Sequence, residues 1–157
     1  MSNKHHAILS KQLSQVEDLF NLKDHKNNDI SKASVGWHLD HVLKVFNTVS
    51  EWVIKSNPED YKWQFNFWRS LLFPLGYFPR GKGKSPKQVL PPEIITIESL
   101  QQQLQVAKQS LNNFKPLHEK AFFKHFIFGM LHKQQTLRFL YMHTNHHLKI
   151  VNDILKQ

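Results

Sequence analysis

The sequence predicts an all-α fold, a four-helix bundle in which a long connection separates the second helix from the third. Four segments repeat apolar residues at the three- and four-residue spacing of an amphipathic helix. Glycine, proline and polar residues concentrate between these segments. Only the stretch "VLPPEIITI" weakly resembles a strand. Four amphipathic helices bury their apolar faces most simply against one another, which favours a bundle.

The first two helices are predicted over residues 3–22 and from Ser34 onward. Serine is a favourable N-cap residue, and Asn57-Pro58 ends the second helix because a residue before proline avoids the helical region. The predicted stripes are Leu9, Leu13, Val16 and Phe20 in the first helix, and Val35, Leu39, Val42, Phe46, Val49 and Val53 in the second.

Residues 61–78 are rich in aromatic side chains and predict a short helix or irregular segment, which we expect to serve as core or as a dimer contact. The block includes Trp63, Phe65, Phe67 and Trp68. Residues 79–93 predict a loop because they are rich in Gly, Pro and Lys.

The third helix is predicted over 96–114 and the last over 133–155, with a mixed connection over 115–131 that includes a helical turn. The stripe of the third helix is Leu100, Leu104, Ala107, Leu111 and Phe114.

Composition limits the classes of protein. A length of 157 residues with 40% hydrophobic content predicts one domain, residues 1–157. No apolar run reaches the roughly 18 residues of a membrane span, and the polar N-terminus shows no signal peptide. The absence of cysteine excludes disulfides, thiolate ligands and a cysteine nucleophile, and it fits a cytoplasmic protein.

The chain carries a net charge of +9, which admits an anionic partner. Most of the lysines are scattered singly, and this argues against a nucleic-acid-binding surface.

The segment "YMHTNHHLKIV" contains three histidines in the last helix. On a helical wheel, His143 and His147 fall within the apolar arc, whereas His146 falls opposite and faces solvent. Residues four apart on a helix have Cβ atoms about 5–6 Å apart, so these two imidazoles can converge on one metal ion. A metal would also compensate for placing polar nitrogens in an apolar layer.

A third ligand is available from the second helix, in "SVGWHLDHVLKVF". His38 lies near the centre of its apolar arc and His41 lies towards the edge, so the wheel leaves both open. Asp40 and Glu51 face away from the arc.

Other chemistries lack their signatures. The apolar arcs contain no carboxylate, and Asp153 and Glu17 face solvent, so a di-iron carboxylate site is not predicted and no general base is evident. Neither a G-x-S-x-G elbow nor the zinc-protease motif occurs, since Thr144 follows His143. The remaining histidines are assigned no chemistry: His118, His125 and His132 lie in connections as surface or capping groups, and His5, His6 and His25 are exposed.

The 79–93 loop only partly resembles a phosphate-binding loop. Gly76, Gly81 and Lys82 have the required spacing, but Gly83 replaces the Ser or Thr and Pro79 interrupts the loop. Its basic side chains either guide an anionic substrate or are simply solvated: Arg80, Lys82, Lys84 and Lys87.

Several of these stretches together resemble the DinB/YfiT-like superfamily, and most closely a small subfamily of unknown function. The stretches are "SVGWHLDHVLKV", "PRGKGKSPK", "HFIFGML" and "FLYMHTNHHLKIV". The resemblance extends from about Ser34 to Ile154. The chain departs from the subfamily at Phe126, where proline is frequent, and at His132, where a capping Thr is frequent.

The resemblance implies a four-helix bundle that binds a divalent metal through three histidines, one from the second helix and two from the last. Carried over by position, the ligands are His41, His143 and His147, with His38 as a reserve or pocket neighbour. Three imidazoles suit Zn, Ni, Fe, Mn or Co.

Some members of the superfamily are metal-dependent transferases that act on low-molecular-weight thiols such as bacillithiol or mycothiol. The resemblance therefore implies a metal-dependent transferase or hydrolase with a small-molecule substrate. We expect neither nucleic acid nor a membrane as a partner, and a homodimer is compatible with the sequence. The alternative is a non-catalytic protein with a vacant pocket and a basic loop for an anionic partner.

Overall fold

The computed structural model describes residues 2–81 and 86–156. Within these ranges the chain is mostly helical and includes one small antiparallel hairpin. None of the described helices combines the length and apolarity that crossing a membrane requires. The elements in order are α1 (Ser2–Asp18), α2 (Val35–Lys55), α3 (Phe67–Leu75), α4 (Ile97–Asn113), β1 (Phe122–His125), β2 (Gly129–His132) and α5 (Lys133–Leu155).

Four long helices surround the core. The helix α2 packs against both α4 and α5, and α1 packs against the same two helices. Every apolar residue of the stripes predicted for the first three long helices is buried. The predicted bundle of amphipathic helices is therefore confirmed, and α2 and α5 lie side by side in it.

The ends of the helices follow the chemistry of their capping residues. Ser34 accepts a hydrogen bond from the backbone N–H of Trp37 at 3.2 Å, as expected for the predicted N-cap of α2. Thr96 caps α4 in the same way. The first helix ends earlier than predicted, at Asp18, and a turn of 3₁₀ helix continues it over Phe20–Leu22.

The connection between α4 and α5 begins with a turn, in which the N–H of Leu117 donates to the carbonyl of Phe114, and then forms the hairpin, which was not predicted. Phe122 pairs with His132 and His125 pairs with Gly129. Gly129 has φ of 69°, a left-handed conformation that glycine adopts without strain. The weak strand signal in "VLPPEIITI" is not realised as a strand. Val89 ends a 3₁₀ turn, residues 90–96 are irregular, and Ile97 begins α4.

The aromatic block contains the predicted short helix, α3, and contributes Phe73 to the core, but most of its large aromatic side chains are exposed. Trp63, Phe65 and Phe67 are 68%, 70% and 61% exposed. The opposite side of α3 is attached to the hairpin by Arg69, a buried residue whose guanidinium donates to the carbonyls of Phe128 and Met130. The alternative role, a dimer contact, stays a prediction.

One carboxylate is inside the bundle, contrary to the prediction that Asp40 faces away. Asp40 is fully buried and accepts hydrogen bonds from Lys44 and, at 2.8 Å, from Gln103 of α4. The packing of α4 against this side of α2 covers a face that the helical wheel assigned to solvent. Asp40 therefore joins two helices.

Candidate metal centre

Three imidazoles from two helices meet at one point in the bundle. His41, His143 and His147 each offer a ring nitrogen, and these nitrogens all lie within 4.8 Å of one another. The ring centroids are 5.1 Å apart for His41 and His143, 4.9 Å for His41 and His147, and 4.7 Å for His143 and His147. The three rings thus form a nearly equilateral triangle.

The helices account for this meeting point. His143 and His147 are one turn apart on α5, so their side chains project in the same direction. The contact between α2 and α5 places His41 opposite them. His41 is 2% exposed and His147 is 9% exposed, whereas His143 is half-buried.

Hydrogen bonds orient two of the three rings. Nδ1 of His41 lies 2.8 Å from the carbonyl oxygen of Val89, so Nδ1 carries the proton and donates. Nδ1 of His147 lies 2.9 Å from Nδ1 of His38. In both ligands Nδ1 is engaged by an outer partner, so an ion would bind through Nε2.

The electrostatics keep the cluster neutral. Burial lowers the pKa of His143 and of His147 well below 6.5, and the neighbouring imidazoles lower both further. Burial also lowers the pKa of His41, opposed by the Val89 hydrogen bond and by the charge of Asp40. Neutral imidazoles keep a lone pair for a metal at neutral pH.

Aromatic side chains cover two of the three rings. Trp37 stacks on His41 with ring centroids 5.1 Å apart, and Phe139 stacks on His143 at 5.8 Å. Such apolar walls limit the access of water and strengthen electrostatic interactions inside the site.

The structure separates the two histidines that the wheel left open. His41 belongs to the triangle, as the resemblance implied, although its position on the arc was less central than that of His38. His38 is buried behind His147 and bonds to it rather than joining the triangle. It is thus a pocket neighbour of the cluster.

His146 is half-buried, so its prediction as a solvent-facing residue was wrong. Its Nδ1 donates to the carbonyl of Phe78 at 3.1 Å, because the 77–80 segment folds over this side of α5. A cavity of about 240 Å³ lies here, and its lining includes Arg80, His146 and Lys149. Arg80 pairs with Asp153 at 2.7 Å and holds the pKa of that carboxyl below its usual value.

The other histidines mostly have structural roles. His132 caps α5, and His118 and His125 accept hydrogen bonds from backbone N–H groups in turns. His25 is exposed, whereas His5 and His6 are half-buried rather than exposed as predicted. Lys82, Gly83 and Lys84, on which part of the predicted basic loop depends, lie outside the described residues.

Two groups of the site could not be recognised from the sequence. The carbonyl of Val89 has no side-chain signature, because any residue supplies a backbone oxygen. Ser31 lies in the connection before α2 and bonds to His38 at 3.0 Å. In the sequence, Ser31 is marked only by lying seven residues before the inward-facing His38, and such a spacing does not predict a contact.

The donor set fits a divalent ion. Three neutral imidazoles on separate helical turns, two of them held through Nδ1 by outer partners, are typical of sites that bind Zn²⁺ or a similar metal and keep a position open. The buried carboxylate of Asp40 bonds to Lys44 and Gln103 and is not a member of the cluster.

Comparison with known proteins adds a family likeness but no activity. A family model described as "Protein of unknown function (DUF1569)" matches residues 77–154. That region includes His143 and His147 and begins after His41. Neither the curated proteins nor the solved structures gave a match to this chain. The likeness to the DinB/YfiT-like superfamily therefore stays a prediction, and from 77 to 154 the chain is similar to a family of unknown function.

Proposed function

We propose that this chain binds one divalent metal ion through His41, His143 and His147 and uses it in a reaction on a small molecule. The reaction is transfer to or from a low-molecular-weight thiol, or a hydrolysis. The observation that carries the proposal is the convergence of three neutral ring nitrogens within 4.8 Å.

A divalent ion held by three imidazoles supplies Lewis acidity and lowers the pKa of a water or thiol that binds to it. The chain's own residues would hold the ion without neutralising its charge, since the three ligands are neutral. Trp37 and Phe139 would keep bulk water from the rings they cover.

The cavity beside the cluster supports a small, anionic substrate. Arg80 and Lys149 line it, and His146 forms part of the wall. The ring of His146 is 5.0 Å from that of His147, so the cavity and the three-histidine cluster are adjacent. A carboxylate or phosphate bound by Arg80 would exchange with Asp153, its partner in this structure.

Metal content is the first test. Protein prepared without a histidine tag and dialysed against Zn²⁺ should retain one ion per chain, measured by elemental mass spectrometry. The double variant His143→Ala/His147→Ala should retain a background amount, whereas the control His118→Ala, which removes an exposed histidine, should bind like the wild type. A wild type that retains no Zn²⁺, Ni²⁺ or Mn²⁺ contradicts the proposal.

Activity is the second test. The metal-loaded protein is assayed with thiol cosubstrates and electrophiles, and separately with ester and amide substrates that carry a carboxylate or phosphate. We expect turnover that the chelated protein and the His143→Ala variant both lack. Turnover that persists in that variant contradicts a role for the metal.

A non-catalytic binding protein is the second candidate, and the basic side of the cavity favours it. In that case an anionic ligand binds at Arg80 and Lys149 without turnover. The variant Arg80→Gln/Lys149→Gln should then abolish a salt-dependent affinity, whereas His143→Ala leaves it unchanged. Equal affinity in the wild type and the cavity variant excludes this candidate.

A further inference from the structure

His38 connects a metal-ligating histidine to the loop that precedes α2. Its Nδ1 lies 2.9 Å from Nδ1 of His147, and its Nε2 lies 3.0 Å from Oγ of Ser31. His38 is 4% exposed, so water has little access to compete for either bond. The ring thus lies between a ligand of the cluster and a hydroxyl on another segment.

With an ion on Nε2 of His147, these contacts permit one arrangement of protons. If Nε2 of His147 binds an ion, the proton of that neutral ring is on Nδ1, which then donates to Nδ1 of His38. His38 is in turn protonated on Nε2 and donates to Oγ of Ser31. Both rings are then neutral, and each of their bonded nitrogens has a partner.

The hydroxyl of Ser31, which accepts the last of these hydrogen bonds, is held in place by the backbone. Oγ of Ser31 also accepts from the N–H of Ala33 at 3.1 Å, and the N–H of Ser31 donates to the carbonyl of Asn27 at 2.9 Å. A fixed Oγ holds the ring of His38 in one orientation. That orientation directs Nδ1 towards His147.

We propose that His38 is a positioning residue, which holds His147 in the tautomer and orientation that present its Nε2 to the metal. The inference rests on the proposed function and deepens it. His38 does for His147 what the carbonyl of Val89 does for His41. Outer partners of this kind typically change metal affinity by about 10–100-fold when removed.

The test uses three variants and one probe, Zn²⁺ titrated against a chromophoric chelator. His38→Ala removes the acceptor, and its Zn²⁺ affinity should fall about 10–100-fold. His38→Asn places Oδ1 near the position of Nδ1, accepts the same proton, and should stay within about 3-fold of the wild type. Ser31→Ala should weaken Zn²⁺ binding by less than His38→Ala, because it removes only the hydroxyl that bonds to His38 and leaves His38 beside His147.

A spectroscopic readout separates positioning from packing. Long-range ¹H–¹⁵N spectra of the metal-free protein report which nitrogen of His147 carries the proton. We expect Nδ1–H in the wild type and in His38→Asn, and a mixture of tautomers in His38→Ala. The Asn variant keeps the test decisive if the Ala variant does not fold.

The outcomes distinguish this inference from the one on which it rests. A wild type that binds no Zn²⁺ overturns the proposed function. Normal Zn²⁺ binding in the wild type together with unchanged affinity and tautomer in His38→Ala overturns only the role of His38. Equal losses in the Ala and Asn variants also overturn it, because they would show that the imidazole acts by packing alone.

Discussion

At the scale of single residues, burial determines the chemistry of the histidines. The sequence was sufficient to predict that His143 and His147 face inward, because their positions follow from the periodicity of one helix. It was insufficient to choose between His41 and His38, because both lie on the apolar face of α2. That choice depends on the rotation of α2 relative to α5. The apolar pattern of one helix does not determine this rotation.

At low pH, His125 should lower the stability of the folded state. Its Nδ1 accepts from the N–H groups of Ile127 and Phe128 at 3.0 and 3.2 Å, and burial lowers its pKa to about 4. In the unfolded chain His125 is therefore protonated as the pH falls through about 6.5, whereas in the folded chain it is protonated only near pH 4. The contribution of His125 to stability is complete above pH 6.5 and decreases as the pH falls towards 4, by up to roughly 3 kcal/mol.

The variant His125→Asn removes the titration, since Oδ1 of asparagine can accept the same two hydrogen bonds and carries no titratable group. It also loses the ring contacts of His125 with Phe128 and Phe139, so we expect it to be the less stable protein at pH 7.5. The difference in free energy of unfolding should shrink as the pH falls from 7.5 to 5, as measured by urea denaturation. Parallel pH profiles would show that His125 does not contribute in this way.

At the scale of secondary-structure elements, the long helices were predictable and the segments between them were not. Regular apolar spacing over many residues identifies α1, α2, α4 and α5 because one face of each must be buried. The hairpin has only four residues in each strand, too few for alternation to distinguish it from an irregular apolar run. The burial of Asp40 was missed for a related reason, since it depends on where α4 lies.

Arg69 attaches α3 to the hairpin, so its replacement should destabilise the fold. Its guanidinium donates to the carbonyls of Phe128, Met130 and Gln64, and the residue is 6% exposed. Replacing it with Met removes the donors and leaves buried carbonyls without partners. We expect a loss of about 3 kcal/mol in the free energy of unfolding.

The matched control is Arg80→Met, which removes an arginine from a partly exposed ion pair and should cost much less than Arg69→Met, because solvent screens that pair. Arg69→Lys should be intermediate, because an ammonium cannot reproduce the fork of the guanidinium. Both are measured by chemical denaturation at pH 7. A cost for Arg69→Met no greater than that of the control would mean that α3 is not held by this residue.

At the scale of the whole molecule, the cluster joins distant parts of the chain. His41 is on α2 and His143 and His147 are on α5, near the C-terminal end. An ion that binds all three links these helices only when the chain is folded. Metal binding should therefore stabilise the native state as a whole.

Thermal unfolding checks this expectation. With free Zn²⁺ at about 100 times its dissociation constant, binding adds about 2.7 kcal/mol to the free energy of unfolding. For a chain of this length that corresponds to a rise of roughly 5–10 °C in Tm. The variant His147→Ala should show little rise, and an equal rise in both proteins would indicate that Zn²⁺ stabilises the chain at another position.

In the proposed site, three imidazoles from two helices surround one ion. X-ray absorption fine structure of the Zn²⁺-loaded, untagged protein counts those ligands directly. We predict three imidazole nitrogens at about 2.0 Å, falling to two in the His41→Ala variant. A wild-type spectrum with one imidazole or none, or one that is unchanged by His41→Ala, would contradict the account.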